Sequence, residues 1–144
     1  MVEVSLATSL NTRYLEILNS IKTVLENTGL FNSVVIGKGK VTSTPIAFVI
    51  PNGCRMHLNA TGLYTVEAHY TVAIEYSSRD WSTGTEEVTD LVTQVVDEIL
   101  DILLDSDLCR DPVVERVEIR YPSEPTEDRF EGILSLRVVF EYSG

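Results

Sequence analysis

Only two cysteines, Cys54 and Cys109, and two histidines, His57 and His69, occur in the 144 residues. Two cysteines give no disulfide framework, so the sequence reads as a reduced, intracellular or particle-borne protein. No apolar run approaches the roughly 20 residues that span a bilayer. The opening Met1-Val2-Glu3-Val4 lacks the basic and apolar regions of a signal peptide. Positive charge is scarce as well, with 11 Lys and Arg against 22 Asp and Glu, a net charge of −11. That balance argues against binding nucleic acid phosphates or an anionic membrane, both of which need basic patches. A surface that repels DNA is compatible with it.

A hydrophobic fraction of 44% and a charged fraction of 23% are ordinary for a globular chain. At this length the chain reads as one domain, 1–144, able to bury about two-thirds of its unfolded surface without disulfides. No repeat or low-complexity tract divides it. Residues 1–10 read as an extended arm. Tyr14, Ile17, Leu18, Ile21, Val24 and Leu25 then recur at helical steps, with Asn11 or Thr12 as the cap and Gly29 as the stop. Val34–Ile36 is a short strand, and Gly37-Lys38-Gly39-Lys40 begins a polar loop. Ile46–Ile50 is a strand, Asn52-Gly53 a tight turn, Cys54–Leu58 a short return strand and Asn59-Ala60-Thr61-Gly62 a second turn.

The next segment alternates Tyr64, Val66, Ala68, Tyr70, Val72, Ile74 and Tyr76 with mostly polar residues. As a strand, Leu63–Tyr76 spans roughly 45 Å, so it bends, carries a bulge or projects beyond the domain. A second helix, Thr85–Asp105, follows. Thr85 is its cap, Glu86 and Glu87 fill its first turn, and a wide Val/Leu/Ile stripe runs from Val88 to Leu104. Val113–Tyr121 is a strand, Pro122-Ser123-Glu124-Pro125 breaks it, and Phe130–Tyr142 closes the chain as a second long alternating strand. The order is α-β-β-β-α-β-β. It predicts an α+β fold, an antiparallel β-sheet with two long strands packed against two amphipathic helices.

The motifs that carry chemistry are sparse. Cys54 and His57 offer two metal ligands without a second pair at suitable spacing. His69, beside Glu67 and Thr71 on a polar strand face, reads as a surface histidine. Gly37–Lys40 lacks the spacing and the following helix of a phosphate loop. Asp105-Ser106-Asp107 opens like a calcium loop, but Cys109, Arg110 and Arg116 occupy positions needing an oxygen ligand, Gly and Glu. The Asn59-Ala60-Thr61 sequon reads as a chance match without a secretion signal. No nucleophile–base arrangement is visible. No cofactor, metal or catalytic residue is therefore assigned.

Acids are concentrated on the second helix: from Glu86 to Leu108 there are eight and no Lys or Arg. Asp97, Asp101 and Asp105 stand at successive i,i+4 positions, where like charges repel. Two readings compete, a solvated face that keeps the chain soluble and a surface that faces DNA without holding it or docks on a basic partner. Arg79-Asp80-Trp81 lies in a polar stretch between long strand and helix, where the indole is either tucked onto the core or an interface anchor. The Pro122–Asp128 loop, with Glu124, Asp128 and the following Arg129, is a second contact candidate.

In pattern and order the chain resembles the tail terminator family of long-tailed bacteriophages, also called minor tail or tail-completion proteins. The residues that carry the resemblance are the helix ending near Gly29, Ile46–Ile50, the long strand Tyr64–Tyr76 running into a polar loop, the acidic helix Glu86–Leu104 ending in Leu103-Leu104-Asp105-Ser106-Asp107, and the final Gly132–Tyr142 strand. Gly37–Lys40 and Cys54–Leu58 have no place in that pattern. The resemblance implies a virion protein, made in the host cytoplasm, that forms a hexameric ring on the head-proximal end of the tail tube. The ring stops tube growth and docks the head-completion or neck protein, and DNA passes through its lumen without specific binding. The partners implied are further copies of itself, the tube protein and the neck protein, with no membrane. The lining of that lumen by Asp97, Asp101 and Asp105 is an expectation from the charge pattern. A head-side neck adaptor, or a small non-enzymatic ligand-binding domain, is the alternative.

Overall fold

The computed structural model describes residues 3–41, 43–59, 62–124 and 127–143. The elements are α1 (Leu10–Asn27), β1 (Ser33–Ile36), β2 (Ile46–Leu58), β3 (Leu63–Ser77), α2 (Trp81–Leu104), β4 (Arg110–Arg120) and β5 (Arg129–Ser143). Their α-β-β-β-α-β-β order is the expected one, and the class is α+β. The five strands form one sheet in the order β1-β2-β3-β5-β4. It is mixed rather than wholly antiparallel, because β1 runs parallel to β2 while the other pairs are antiparallel. After β1 the loop through Lys38 and Lys40 returns the chain to the end from which it came. The Gly37 amide bonds the Val49 carbonyl at 2.8 Å and pins that return to β2.

β3 and β5 form the spine, paired without a register break from Leu63↔Ser143 to Ser77↔Arg129. Period-two alternation puts Val66, Ala68, Tyr70, Val72 and Ile74 of β3, and Leu134, Leu136, Val138 and Phe140 of β5, on the buried face. Both helices cover that face, α1 over β1–β3 and α2 over β3, β5 and β4, and they touch each other. Ile17, Ile21 and Leu25 descend from α1, and Val88, Val95, Ile99 and Leu103 from α2. Burying each such side chain contributes roughly 1.5–3 kcal/mol. Among the described residues the opposite sheet face carries no helix.

β2 departs from the expected turn at Asn52-Gly53. It runs straight through as one strand from Ile46 to Leu58, and Cys54–Leu58 continues it rather than returning. The register shifts between Pro51 and Cys54, so Asn52 and Gly53 together oppose His69 as a bulge. Gly53 supplies the left-handed backbone, φ +87°. The Tyr14 hydroxyl of α1 accepts the amides of both Asn52 and Gly53 at 3.1 Å and donates to the His69 carbonyl at 2.8 Å. Those partners let the strand continue where the local signal calls for a turn. From Pro51 to Leu58 every residue of β2 is exposed, so this half of the strand forms an open sheet edge, while its partner β3 stays paired to β5. Of the expected second turn, Ala60 and Thr61 lie outside the described residues, as do Met1 and Val2 of the arm and Pro125 of the later loop.

Both helix starts differ from expectation. Ser9, not Asn11 or Thr12, caps α1, its hydroxyl accepting the Thr12 amide at 3.0 Å. α2 begins at Trp81, four residues before Thr85, because the Asp80 carboxylate accepts the Ser82 and Thr83 amides and the Thr83 hydroxyl. Gly84 then sits inside the first turns, where a Cβ would overlap the Phe130 ring. The apolar stripe of α2 is narrower than its sequence, with Ile102 and Leu104 exposed. Arg13 is the buried charge of the core: its guanidinium donates to the carbonyls of Ser5 and Leu108, both at 2.9 Å. It thereby ties the arm to the turn after α2.

Candidate functional site

The interface residues marked in the sequence come together at one end of the sheet. The Ser78 amide bonds the Asp128 carbonyl at 2.8 Å, so the β3–α2 and β4–β5 connections lie side by side. Trp81 is 47% exposed and is neither fully tucked in nor free. Its indole stacks on Tyr121 with centroids 5.8 Å apart and meets Phe130 edge-on at 5.7 Å. Tyr121, itself 45% exposed, joins this patch although the sequence marked it only as a strand end. Its position just before the strand-breaking Pro122 is the signal that carried it.

Around the aromatic pair the charges are already partly committed. Asp80 is the helix cap, and the hydrogen bonds from Thr83 hold its carboxyl below the usual range. Arg129 lies 3.3 Å from Glu75, whose carboxyl burial pushes upward against that cation. Arg79 is exposed with no ion pair among the described residues, and Glu124 and Asp128 are exposed in the loop. The result is an aromatic patch inside a mixed, mainly acidic rim. Trp and Tyr in such settings are enriched among interface hot spots.

Asp97, Asp101 and Asp105 are exposed in one row along α2. Four i,i+4 rows surround this helix. Val95, Ile99 and Leu103 face the core, while Gln94, Glu98 and Ile102 border a groove shared with Thr28 and Leu30 after α1. Val96, Leu100 and Leu104 therefore run along the side away from α1, toward β4, and the aspartates point away from the sheet. No acid of α2 has an ion pair among the described residues.

The helix-free sheet face is charged in a different way, with acids and bases paired near its centre. Glu67 meets Arg137 at 3.1 Å and His69 at 3.2 Å, and His69 reaches Glu115 at 3.5 Å. The His69 hydrogen bond, then Arg137, holds the Glu67 carboxyl below its ordinary value. His69 is thus engaged between two carboxylates on an open surface. Cys54 and His57, three apart on a strand, face opposite sides and do not converge on one ion. Among the described residues no group of three His, Cys, Asp or Glu side chains is placed to hold a metal. No helix among them is long and apolar enough to cross a membrane.

The other end of the sheet carries two features that sequence reasoning missed. The open β2 edge of the hairpin exposes Met56 (46%) and Leu58 (61%), backed by the stacked rings of Tyr64 and Tyr142 at 5.2 Å. At the opposite, β4 edge of the sheet a groove of about 660 Å³ opens between the arm, the end of α2 and the start of β4. Leu6, Leu103, Leu104 and Val113 line it, with Glu3 and Asp111 among its polar residues. Cys109 also borders it, but burial pushes that thiol up to about 12, which leaves it unreactive at neutral pH.

The chain matches no protein-family model and no curated protein. Its fold does match a solved one. It is similar to a chain in a structure described as the virion of a native gene transfer agent (GTA) particle, with a TM-score of 0.51. The match covers 92% of this chain and 95% of that one at 12% sequence identity. Both chains therefore share an α+β architecture over nearly their whole lengths.

Proposed function

We propose that this chain is a structural component of a phage-like virion, of the tail terminator kind. The observation that carries the reading is the fold shared, over 92% of the chain, with a chain of a gene transfer agent virion. The arrangement of surfaces supports it. The Trp81–Tyr121 patch lies at one end of the sheet, and the Met56–Leu58 edge and the arm–α2–β4 groove lie toward the other. A chain that binds both further copies of itself and a larger assembly needs separate surfaces of this kind.

In this reading several copies form a closed ring on the head-proximal end of the tail tube. One end seats on the tube and stops its growth, and the other offers the neck protein a docking surface. The Trp81 end, with Arg79, Asp80, Glu124, Asp128 and Arg129, is assigned to one of these partners. The unpaired row of Asp97, Asp101 and Asp105 faces the bore, where DNA passes without being held, because it presents negative charge with no neighbouring cation. No reaction and no cofactor are assigned.

The deciding experiment combines solution mass with negative-stain imaging of the purified chain, alone and mixed with preformed tail tubes. Rings of about six copies with a central hole, seated on tube ends, are the expected result. Tubes that keep growing in the presence of the chain, with no density at their ends, would overturn the reading.

A further inference from the structure

We infer that the contact between copies is made by seating the open β2 edge of the β2–β3 hairpin, Cys54–Leu58, of one copy in the arm–α2–β4 groove of the next. The inference rests on the ring reading and names the surfaces that build the ring. The hairpin and the groove lie on opposite edges of one sheet at the same height. In register, Arg55 pairs with Glu67, Glu67 with Val139 and Val139 with Arg110. A neighbour related by rotation about an axis along the strands therefore brings one feature to the other. Such a head-to-tail contact uses two different surfaces of each copy, which is the geometry that closes rings.

Chemistry matches on each side of the sheet. Met56 is cross-strand from buried Val66, so it and Leu58 lie on the helix-bearing side, the side on which Leu103 and Leu104 border the groove. Arg55 and His57 lie on the open side, and Pro51–Leu58 contains no acid. Arg55 has no ion pair among the described residues. Across the groove one guanidinium, Arg110, is shared by Asp111 at 2.9 Å and Glu141 at 3.0 Å, and Glu3 adds to the surplus of negative charge. A basic, apolar sheet edge thus faces an acid-rimmed apolar groove. The strand edge also needs such cover. β1 stops opposite Val49, leaving the outer edge of Cys54–Leu58 without a strand among the described residues. An exposed edge of that kind recruits another chain.

The test uses two variants of the full chain, Met56→Asp/Leu58→Asp on the hairpin and Leu104→Asp/Val113→Asp in the groove. All four side chains are exposed, so circular dichroism and Tm are expected to match the wild type. In light scattering the wild type gives a multi-copy mass and each variant a single-copy mass. An equimolar mixture of the two doubles that mass, because one intact hairpin meets one intact groove and assembly then stops. A groove variant that keeps the wild-type mass overturns the contact while leaving the ring reading in place. A mixture that stays at single-copy mass overturns the pairing of hairpin with groove. A wild type at single-copy mass at its highest soluble concentration overturns the self-contact. The ring reading is then decided by tube capping alone.

Discussion

Tyr14 stacks on Tyr70 with ring centroids 4.8 Å apart, and each hydroxyl serves a backbone rather than solvent. Tyr70 donates to the Tyr14 carbonyl at 2.9 Å, while Tyr14 holds the Asn52–Gly53 bulge. Burial raises the pKa of both phenols, which keeps them protonated donors at neutral pH. Tyr14→Phe keeps the stack but removes the bulge's partners. The expected loss is about 0.5–1.5 kcal/mol in urea unfolding, the net worth of a typical hydrogen bond. Amide exchange is expected to quicken at Asn52 and Gly53 more than at Val72. Equal quickening at all three would mean that the hydroxyl does not hold the bulge.

Gly84 and Phe130 make a second prediction, in which two effects oppose each other. Gly84→Ala gains about 1 kcal/mol of helix propensity. The new methyl, however, overlaps the Phe130 ring, and overpacking of this kind costs about 1–3 kcal/mol. Overpacking wins where the ring cannot move, and Phe130 is fully buried between Trp81 and Tyr121. The variant is expected to unfold at lower temperature than the wild type. Combining it with Phe130→Leu recovers part of that loss in a double-mutant cycle, and additive effects would refute the clash.

These two contacts also explain what the sequence could convey. The alternation in β3 and β5 and the Val/Leu stripe of α2 are local periodicities, so strands, helices and their buried faces were legible. The start of α2 was not, because Trp81-Ser82-Thr83-Gly84 has loop composition and Gly84 is required by Phe130, far along the chain. Asn52-Gly53 reads as a turn by its own chemistry, and only Tyr14 from α1 makes it a bulge. The candidate interface was half legible. Arg79–Trp81 and the Glu124–Arg129 region were marked separately, but their meeting depends on the pairing of Ser77 with Arg129. The groove was invisible, since it combines the arm, the end of α2 and β4.

Arg13 is expected to act as a latch for the arm. Its guanidinium donates to the carbonyls of Ser5 and Leu108 and to the Ser5 hydroxyl, and it is almost fully buried. Arg13→Met keeps much of the apolar stem and loses these charged hydrogen bonds, each worth about 1.5–3 kcal/mol. The expected phenotype is faster amide exchange at Ser5 and Ala7, whose amides bond Asp107 and Glu141, together with a lower Tm. An arm that stays protected in this variant would show that those backbone bonds suffice.

Acid is expected to weaken the fold through Glu67 and Asp80. Both carboxyls are held below their ordinary values, by His69 and Arg137 in one case and by Thr83 and the neighbouring amides in the other. A carboxylate with a depressed folded-state pKa contributes stability above its unfolded value, near pH 4. That contribution is lost as pH falls through the lower folded value. Glu75 has the opposite sign, since burial raises its pKa, so its protonation on the way down partly offsets the loss. Denaturant midpoints measured across this range are expected to fall less steeply in Glu67→Gln than in the wild type. An unchanged acid limb would remove Glu67 from the account.

The aspartate row of α2 separates solubility from function. Asp97, Asp101 and Asp105 repel one another at i,i+4 spacing, and the last two lie near the negative end of the helix dipole. Replacing all three by Asn is therefore expected to stabilise the isolated chain, by a few tenths of a kcal/mol for each repulsive pair removed. If the row is only a solvated face, the variant assembles and functions normally and merely becomes less soluble. If it faces the bore, rings still form, since none of the three aspartates lines the groove or lies on the hairpin. DNA then adheres to those rings at low salt and is released as salt rises, because screening weakens contacts to phosphate. Retention of DNA by variant rings, measured across a salt series beside wild-type rings, distinguishes the two. Equal retention would take the acid row out of the lumen and leave the open sheet face, with its paired charges, as the surface that lines it.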